Sequence, residues 1–305
     1  ANTSPLVKIQ LAPANLHWMT DEGLQAIHEK ACAANVPMHM HLLETAYQKE
    51  YARRRTGTTA IKHLEKLGLL GPNMTIGHGV WLTEEDIDIT AATGTCVCHN
   101  CSSNFRLRSG ILPLMEYHRR GVTVGMGLDE AGINEDRDML QEMRMALNVH
   151  RTPGMDEKDV PARTQVLRMA TEHGGLTTAF GAEIGKLDQG RFFDAVLIDF
   201  DKAMHPFQDE DIAPLDAVIQ RAKTKHVDSV IVGGDLVYEK GRFANLDRDE
   251  ILDTIATVLS KPRTQDESHR RWLRDKVFHE VQKFYQNYLD DEPARVPFYG
   301  NSSQA

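Results

Sequence analysis

Val36-Pro37-Met38-His39-Met40-His41-Leu42-Leu43-Glu44 is the stretch on which the fold turns. Its apolar run predicts a strand over 36–43. Side chains alternate across a strand, so His39 and His41 share one face and Glu44 falls just past the end. Short apolar, β-branched runs at 6–11, 74–80, 95–99 and 122–128 predict further strands. Helical patterns lie between and after them, at 20–35, 58–67, 83–93, 110–120, 138–151 and 160–180. Thr20 opens the first. Thr83, followed by Glu84, Glu85 and Asp86, supplies a capping hydroxyl and three anions facing the helix dipole. Strands joined by helical crossovers imply βαβ units, a parallel sheet and an α/β fold.

The texture changes after residue 183. Short strands with glycine turns are predicted at 194–199, 227–232 and 236–239, as a small β unit over 184–245. Helices follow at 247–259 and 267–289, then a polar tail at 300–305. Leu273, Val277, Val281, Phe284 and Tyr288 recur at helical spacing and predict one buried stripe. The expected division is therefore 1–183, 184–245 and 246–305.

The 305 residues are 41% apolar and 26% charged, enough to bury a sizeable core. Thirty-five basic against forty-four acidic side chains leave a net charge of −9, which argues against nucleic-acid or anionic-membrane partners. No apolar run approaches the roughly 18 residues of a bilayer span, and the opening Ala-Asn-Thr-Ser-Pro-Leu-Val-Lys has no signal-peptide pattern. Four cysteines make no disulfide framework and point to a reducing compartment. A soluble, cytoplasmic chain is expected.

Imidazoles and carboxylates gather at the ends of the predicted parallel strands, where α/β active sites lie. They are His41 and Glu44, His78 in Gly77-His78-Gly79, His99-Asn100, and Asp129-Glu130. Converging there, such groups could hold Zn²⁺ at about 2.0–2.2 Å and lower the pKa of its water to about 7. Any one of these histidines is as readily structural; the ordered set is the signal. In Cys96-x-Cys98-x-x-Cys101, Cys96 and Cys98 alternate on a strand, where small buried thiols are common, and the second knuckle of a zinc module is absent, so metal binding by these cysteines is not expected.

That ordered set, from residue 6 to 243, resembles the amidohydrolase superfamily. The similar branch holds the cytosine, guanine and S-adenosylhomocysteine deaminases and the s-triazine hydrolases. The resemblance implies a TIM-type (β/α)8 barrel, present here as about strands four to eight, with part of a small β-sandwich. His41-x-x-Glu44 is similar to the family's fifth-strand signature, which implies a metal-ligating His41 and a proton-shuttling Glu44. Gly77-His78-Gly79 resembles the sixth-strand site of a catalytic histidine that contacts substrate. His99-Asn100-Cys101-Ser102-Ser103-Asn104, with Ser109-Gly110 beyond, resembles the seventh-strand His-Asn-Pro-x-Ser-Asn stretch, Cys101 standing where proline is usual. It implies that His99, Asn100 and Asn104 shape the pocket wall. Asp129, with Asn134 beyond it, resembles the eighth-strand metal ligand and catalytic base.

By the same resemblance His17 and Trp18 fall in a loop that lines the substrate pocket, and Glu130 is placed to select a cationic or NH-rich substrate. Lys8 stands near the start of its strand, as a solvated edge residue would, which favours one metal ion over two. The family's His-x-His pair is not in this chain, so two protein ligands are expected and the site is incomplete without the rest. A piece of a protein of roughly 450 residues is inferred by that analogy.

The implied reaction is metal-dependent hydrolysis of a C–N bond, removing an amino group from a purine, pyrimidine or triazine. The ion would be Zn²⁺, with Fe²⁺ and Mn²⁺ also compatible with imidazole and carboxylate. Two alternatives stand beside it: a cyclic-amide or carbamoyl hydrolase of the same superfamily, and a non-catalytic fragment. An open edge on strand four implies self-association, as a dimer, or a complementing segment.

Overall fold

The structure, a computed structural model, describes residues 3–130, 132–133, 136–151 and 156–290. Asn134 and the polar tail at 300–305 lie outside the described residues. The first part runs α1 (Asp21–Ala34), β1 (Met38–Leu42), α2 (Ala46–Thr56), α3 (Ala60–Lys66), β2 (Met74–His78), α4 (Glu84–Thr93) and β3 (Cys96–His99). It continues with α5 (Cys101–Arg106), α6 (Leu114–Arg119), β4 (Val124–Met126), α7 (Met139–Val149), α8 (Arg163–Ala170) and α9 (Glu172–Leu176). Its strands form one parallel sheet in the order β1-β2-β3-β4.

The boundary signals act as local chemistry requires. The Thr20 hydroxyl accepts the Gly23 N–H at 3.1 Å, and Asn35 ends α1 in the left-handed conformation. On α4, Thr83 and Asp86 exchange hydrogen bonds of 3.0 and 3.2 Å in a reciprocal capping box. Ile76, Val97 and Val124 come from adjacent strands and pack into one core with Leu24, Ile61 and Leu64 of the helices. Each such side chain contributes about 1.5–3 kcal/mol on burial.

Two expectations fail, and helix α2 was not expected. Residues 6–11 form no strand: a ladder needs a partner, and only Leu11 finds one, bonding Pro37 and His39 beside Met38. Leu6, Val7 and Ile9 are exposed. The pattern at 160–180 divides into α8 and α9 at Thr171. Helix α2 escaped the periodicity because it has no apolar stripe. Its buried side is Ala46, Ala52 and Glu50, the last held by Arg53 at 2.7 Å and Arg54 at 2.6 Å.

The second part holds β5 (Ala195–Ile198), α10 (Phe200–Met204), α11 (Pro214–Arg221), β6 (Val227–Val232), β7 (Asp235–Glu239) and β8 (Arg242–Phe243), then α12 (Arg248–Leu259) and α13 (Gln265–Tyr285). Its strands form an antiparallel sheet in chain order. The β6–β7 turn places Gly233 and Gly234 at φ 59° and 93°, where a side chain would be strained. The predicted stripe on α13 is not buried. Leu273, Val277, Val281 and Phe284 are 40–57% exposed, because no described element packs over them, and only Tyr288 past the helix end is covered. No helix among the described residues is long and apolar enough to cross a membrane.

His118, in the last turn of α6, carries a buried Nε2 without a partner among the described residues. Burial first, and then the charge of His173, pushes its pKa down to about 4. Between pH 6.5 and 4 the unfolded chain takes up a proton there that the folded chain does not, so stability falls as pH falls. The loss expected from this one group by pH 5 is about 2 kcal/mol. Denaturant titrations at pH 7 and pH 5 should show that difference shrinking in His118→Gln. An unchanged acid loss in the variant would remove His118 from the account.

Candidate active site

In a parallel sheet the C-terminal ends of all strands open on one rim, so residues distant in sequence meet there. His41 on β1 stands opposite Gly77, β2 ends on His78, and the segment leaving β4 carries Asp129. One ligand atom from each of His41, His78 and Asp129 lies within 4.8 Å of the others.

The backbone bends sharply to bring them in. Leu43, His78 and Asp129 take positive φ values of 52°, 73° and 62°. That conformation costs an L-residue roughly 1–2 kcal/mol, and such strain concentrates at functional sites. Gly127 lets the chain pass from β4 to Asp129, since a Cβ there would come within 2.4 Å of Asn100 Oδ1 and 2.9 Å of Cys98 Sγ.

Hydrogen bonds then aim the side chains. His41 Nδ1 lies 3.2 Å from the Ala14 carbonyl, and His78 Nδ1 lies 2.9 Å from Asn104 Oδ1. Those oxygens only accept, so each Nδ1 carries the proton and each Nε2 is left for another partner. The two rings stack with centroids 5.6 Å apart. His78 Nε2 sits between two carboxylates, 3.9 Å from Glu44 Oε2 and 3.7 Å from Asp129 Oδ2. His39, on the same strand face as His41, is kept neutral: burial, then the charges of His41 and His78, push its pKa down to about 4.

Two serines hold the carboxylates, and sequence reading gave neither a role. Ser109 Oγ donates to Glu44 Oε1 at 3.0 Å, and Ser103 Oγ donates to Asp129 Oδ2 at 2.5 Å. The Glu130 N–H donates to Asp129 Oδ1 at 2.9 Å, and the Glu44 N–H to Gln48 Oε1 at 2.9 Å. Both serines sit in the stretch from His99 to Gly110, so the motif marked them without naming their partners. The donor set of two imidazoles and one carboxylate, with both Nδ1 positions tied, fits a divalent ion of the zinc type. Where sequence reading expected two protein ligands, a third donor, His78 Nε2, stands beside them.

The other expected residues separate. Asn104 is buried against His78, and its Nδ2 has no partner among the described residues. Asn100 is buried and accepts the Cys98 thiol at 3.6 Å. The His17 ring stacks on Tyr51 at 3.9 Å, its pKa lowered by burial and then by Arg55. Trp18 is 79% exposed. Glu130 folds back to accept the Gly132 N–H at 2.8 Å and faces solvent. Lys8 pairs with Glu183 and lies over the Phe180 ring.

His99, expected on the pocket wall, turns elsewhere. Its Nε2 meets His150 Nε2 at 2.9 Å in a second buried group. Burial, then the charge of His150, holds the His99 pKa well below the usual imidazole range. Burial, followed by His118, pushes that of His150 down to about 4. Both rings are neutral at physiological pH.

Residues 1–237 match the amidohydrolase family model. The chain is 32% identical over 254 residues to a 5-methylthioadenosine/S-adenosylhomocysteine deaminase of Syntrophobacter fumaroxidans, covering 83% of this chain and 57% of the relative. It is 32% identical over 252 residues to a 5′-deoxyadenosine deaminase of Methanopyrus kandleri, covering 81% and 56%. Among solved structures, an adenosine deaminase from Xanthomonas campestris with bound zinc aligns at a TM-score of 0.76 and 25% identity, over 84% of this chain and 57% of that one. An atrazine chlorohydrolase from Arthrobacter aurescens, 24% identical with a TM-score of 0.77 over 84% and 56%, shares the fold. The chain thus spans a little over half the length of the curated relatives it matches.

Proposed function

The chain belongs to the amidohydrolase family, and on that premise we propose that its His41 rim serves hydrolytic deamination of a 6-aminopurine nucleoside. The observation that carries this reading is the placement of His78 Nε2 between the Glu44 and Asp129 carboxylates, beside His41. The relatives' names supply the substrate class, being deaminases of 5-methylthioadenosine and S-adenosylhomocysteine or of 5′-deoxyadenosine. The parallel strands β1 to β4 are read as the fifth to eighth of an eight-stranded barrel, which accounts for the functional groups at their C-terminal ends.

His41 and Asp129, with His78 Nε2 alongside, are the residues that would hold one Zn²⁺. When bound, such an ion lowers the pKa of its water and polarises the carbon under attack. The protein's own groups do the rest. Asp129, fixed by Ser103 and the Glu130 N–H, takes the proton that the attacking water loses. Glu44, steadied by Ser109, relays that proton to a ring nitrogen and then carries the second, from the hydroxyl of the adduct, to the departing amine. His78, oriented by Asn104, presents its Nε2 lone pair to the ion or to a hydrogen of the incoming water and so holds that water in place.

Ammonia release is the test. The full-length protein, loaded with Zn²⁺, should liberate ammonia from 5-methylthioadenosine, S-adenosylhomocysteine or 5′-deoxyadenosine faster than from an aminotriazine. No ammonia from any adenosine derivative, or a ring-opened acid in its place, would overturn the assignment.

A further inference from the structure

A second cluster, separate from the His41 rim, combines donors that favour a soft or borderline metal ion. His99 ends β3, Cys101 opens α5, and His150 closes α7. One ligand atom from each lies within 4.8 Å of the other two, and all three residues are buried, at 1%, 0% and 7% exposure. Cys101 is the residue that stands in the usual proline position of the seventh-strand motif. Its partners are imidazoles brought in from two other elements, and neither Cys96 nor Cys98 joins them.

The two imidazoles of this cluster already meet, and two buried polar atoms lie beside it. His99 Nε2 and His150 Nε2 face each other at 2.9 Å, so their contact uses one N–H and one lone pair. His99 Nδ1 remains buried with no partner among the described residues. Glu142 on α7 accepts the Ser102 N–H at 2.9 Å through Oε1, while its buried Oε2 is also unpartnered. An ion on the Nε2 side of the two rings would reach neither of those atoms, so the case for it rests on the approach of the three ligand groups themselves.

We propose that His99, Cys101 and His150 form a second metal site, a buried structural one that takes Zn²⁺. Two imidazoles and a thiolate are ligands zinc accepts, and around a tetrahedral ion neighbouring ligand atoms stand about 3.3 Å apart. The nitrogens here need to separate by only a few tenths of an ångström. A thiolate and two neutral imidazoles leave Zn²⁺ with one positive charge, and the Glu142 carboxylate beside the start of α5 balances it. The site has a consequence for the rim. Cys101 begins the same helix that carries Ser103 and Asn104, so an ion here would clamp the element that orients Asp129 and His78.

Cobalt separates this site from the first. The His41 group contains no sulfur, so a thiolate-to-Co²⁺ charge-transfer band in the near ultraviolet can come only from a cysteine site. The full-length protein titrated with Co²⁺ should develop that band. Cys101→Ala should lose the band and about one equivalent of metal per chain, whereas Cys98→Ala and His41→Ala should keep the band. If Cys101→Ala does not fold, as judged by circular dichroism, His150→Gln gives the same reading: the band is lost or strongly altered while the rim metal stays. A folded wild-type protein that shows no band in excess Co²⁺, or a band that survives in Cys101→Ala, overturns the proposal. Because the readout is spectroscopic, it stands whether or not the protein deaminates adenosine derivatives.

Discussion

Glu44→Gln should lower turnover in the full-length protein by about 10³-fold, in the middle of the range for losing a positioned general acid–base group. The amide keeps the shape of the carboxylate and can still accept the Ser109 hydroxyl, which lies 3.0 Å from Oε1. It cannot carry the water's protons to the ring nitrogen and the leaving amine. Glu44 is outside the proposed ligand set, so metal content, measured per chain by elemental analysis, should not change. A variant with wild-type turnover would remove Glu44 from the chemistry. One that loses its metal would recast it as a ligand.

Asp129→Asn should be more damaging still, at about 10⁴-fold, the upper end of the same range, because one carboxylate serves as both ligand and base. The neutral amide oxygen is a poorer ligand, so this variant should also lose metal on dialysis where Glu44→Gln does not. Ser103→Ala supplies the graded comparison. It removes only the hydroxyl that donates to Asp129 Oδ2 at 2.5 Å, and partners of this outer kind are worth about 10–100-fold in metal affinity or activity. The order Asp129→Asn, then Ser103→Ala, in both metal retention and rate is the expected result. If Ser103→Ala matched Asp129→Asn in both, the serine would be acting directly and not through the carboxylate.

The convergence of His41, Glu44, His78 and Asp129 was legible in the sequence because its signals are local. The His41-x-x-Glu44 spacing, the single histidine after Gly77 and the acid at Asp129 each depend on a strand end and the turn that follows. Alternation along β1 does put His39 and His41 on one face, and the Thr83 capping box forms as its four residues require. These are properties of short stretches of backbone, and short stretches carry them.

Partner choice is a different kind of fact. Nothing in the motif from His99 to Gly110 says that Ser103 will reach Asp129, that Ser109 will reach Glu44, or that Asn104 will tie His78. Those contacts exist only once β1, β2, β3 and β4 lie in register and their C-terminal ends share a rim. The turning of His99 toward His150 is likewise decided by where α7 ends. The apolar runs at 6–11 and along α13 carry the period of buried elements yet lie exposed, because burial needs a facing surface as well as a pattern. Chemistry-bearing residue types and strand ends were thus set by the sequence locally. Which atoms touch, and which faces are covered, waited on long-range packing, since a hydrogen bond or a buried stripe requires a second segment that no local spacing specifies.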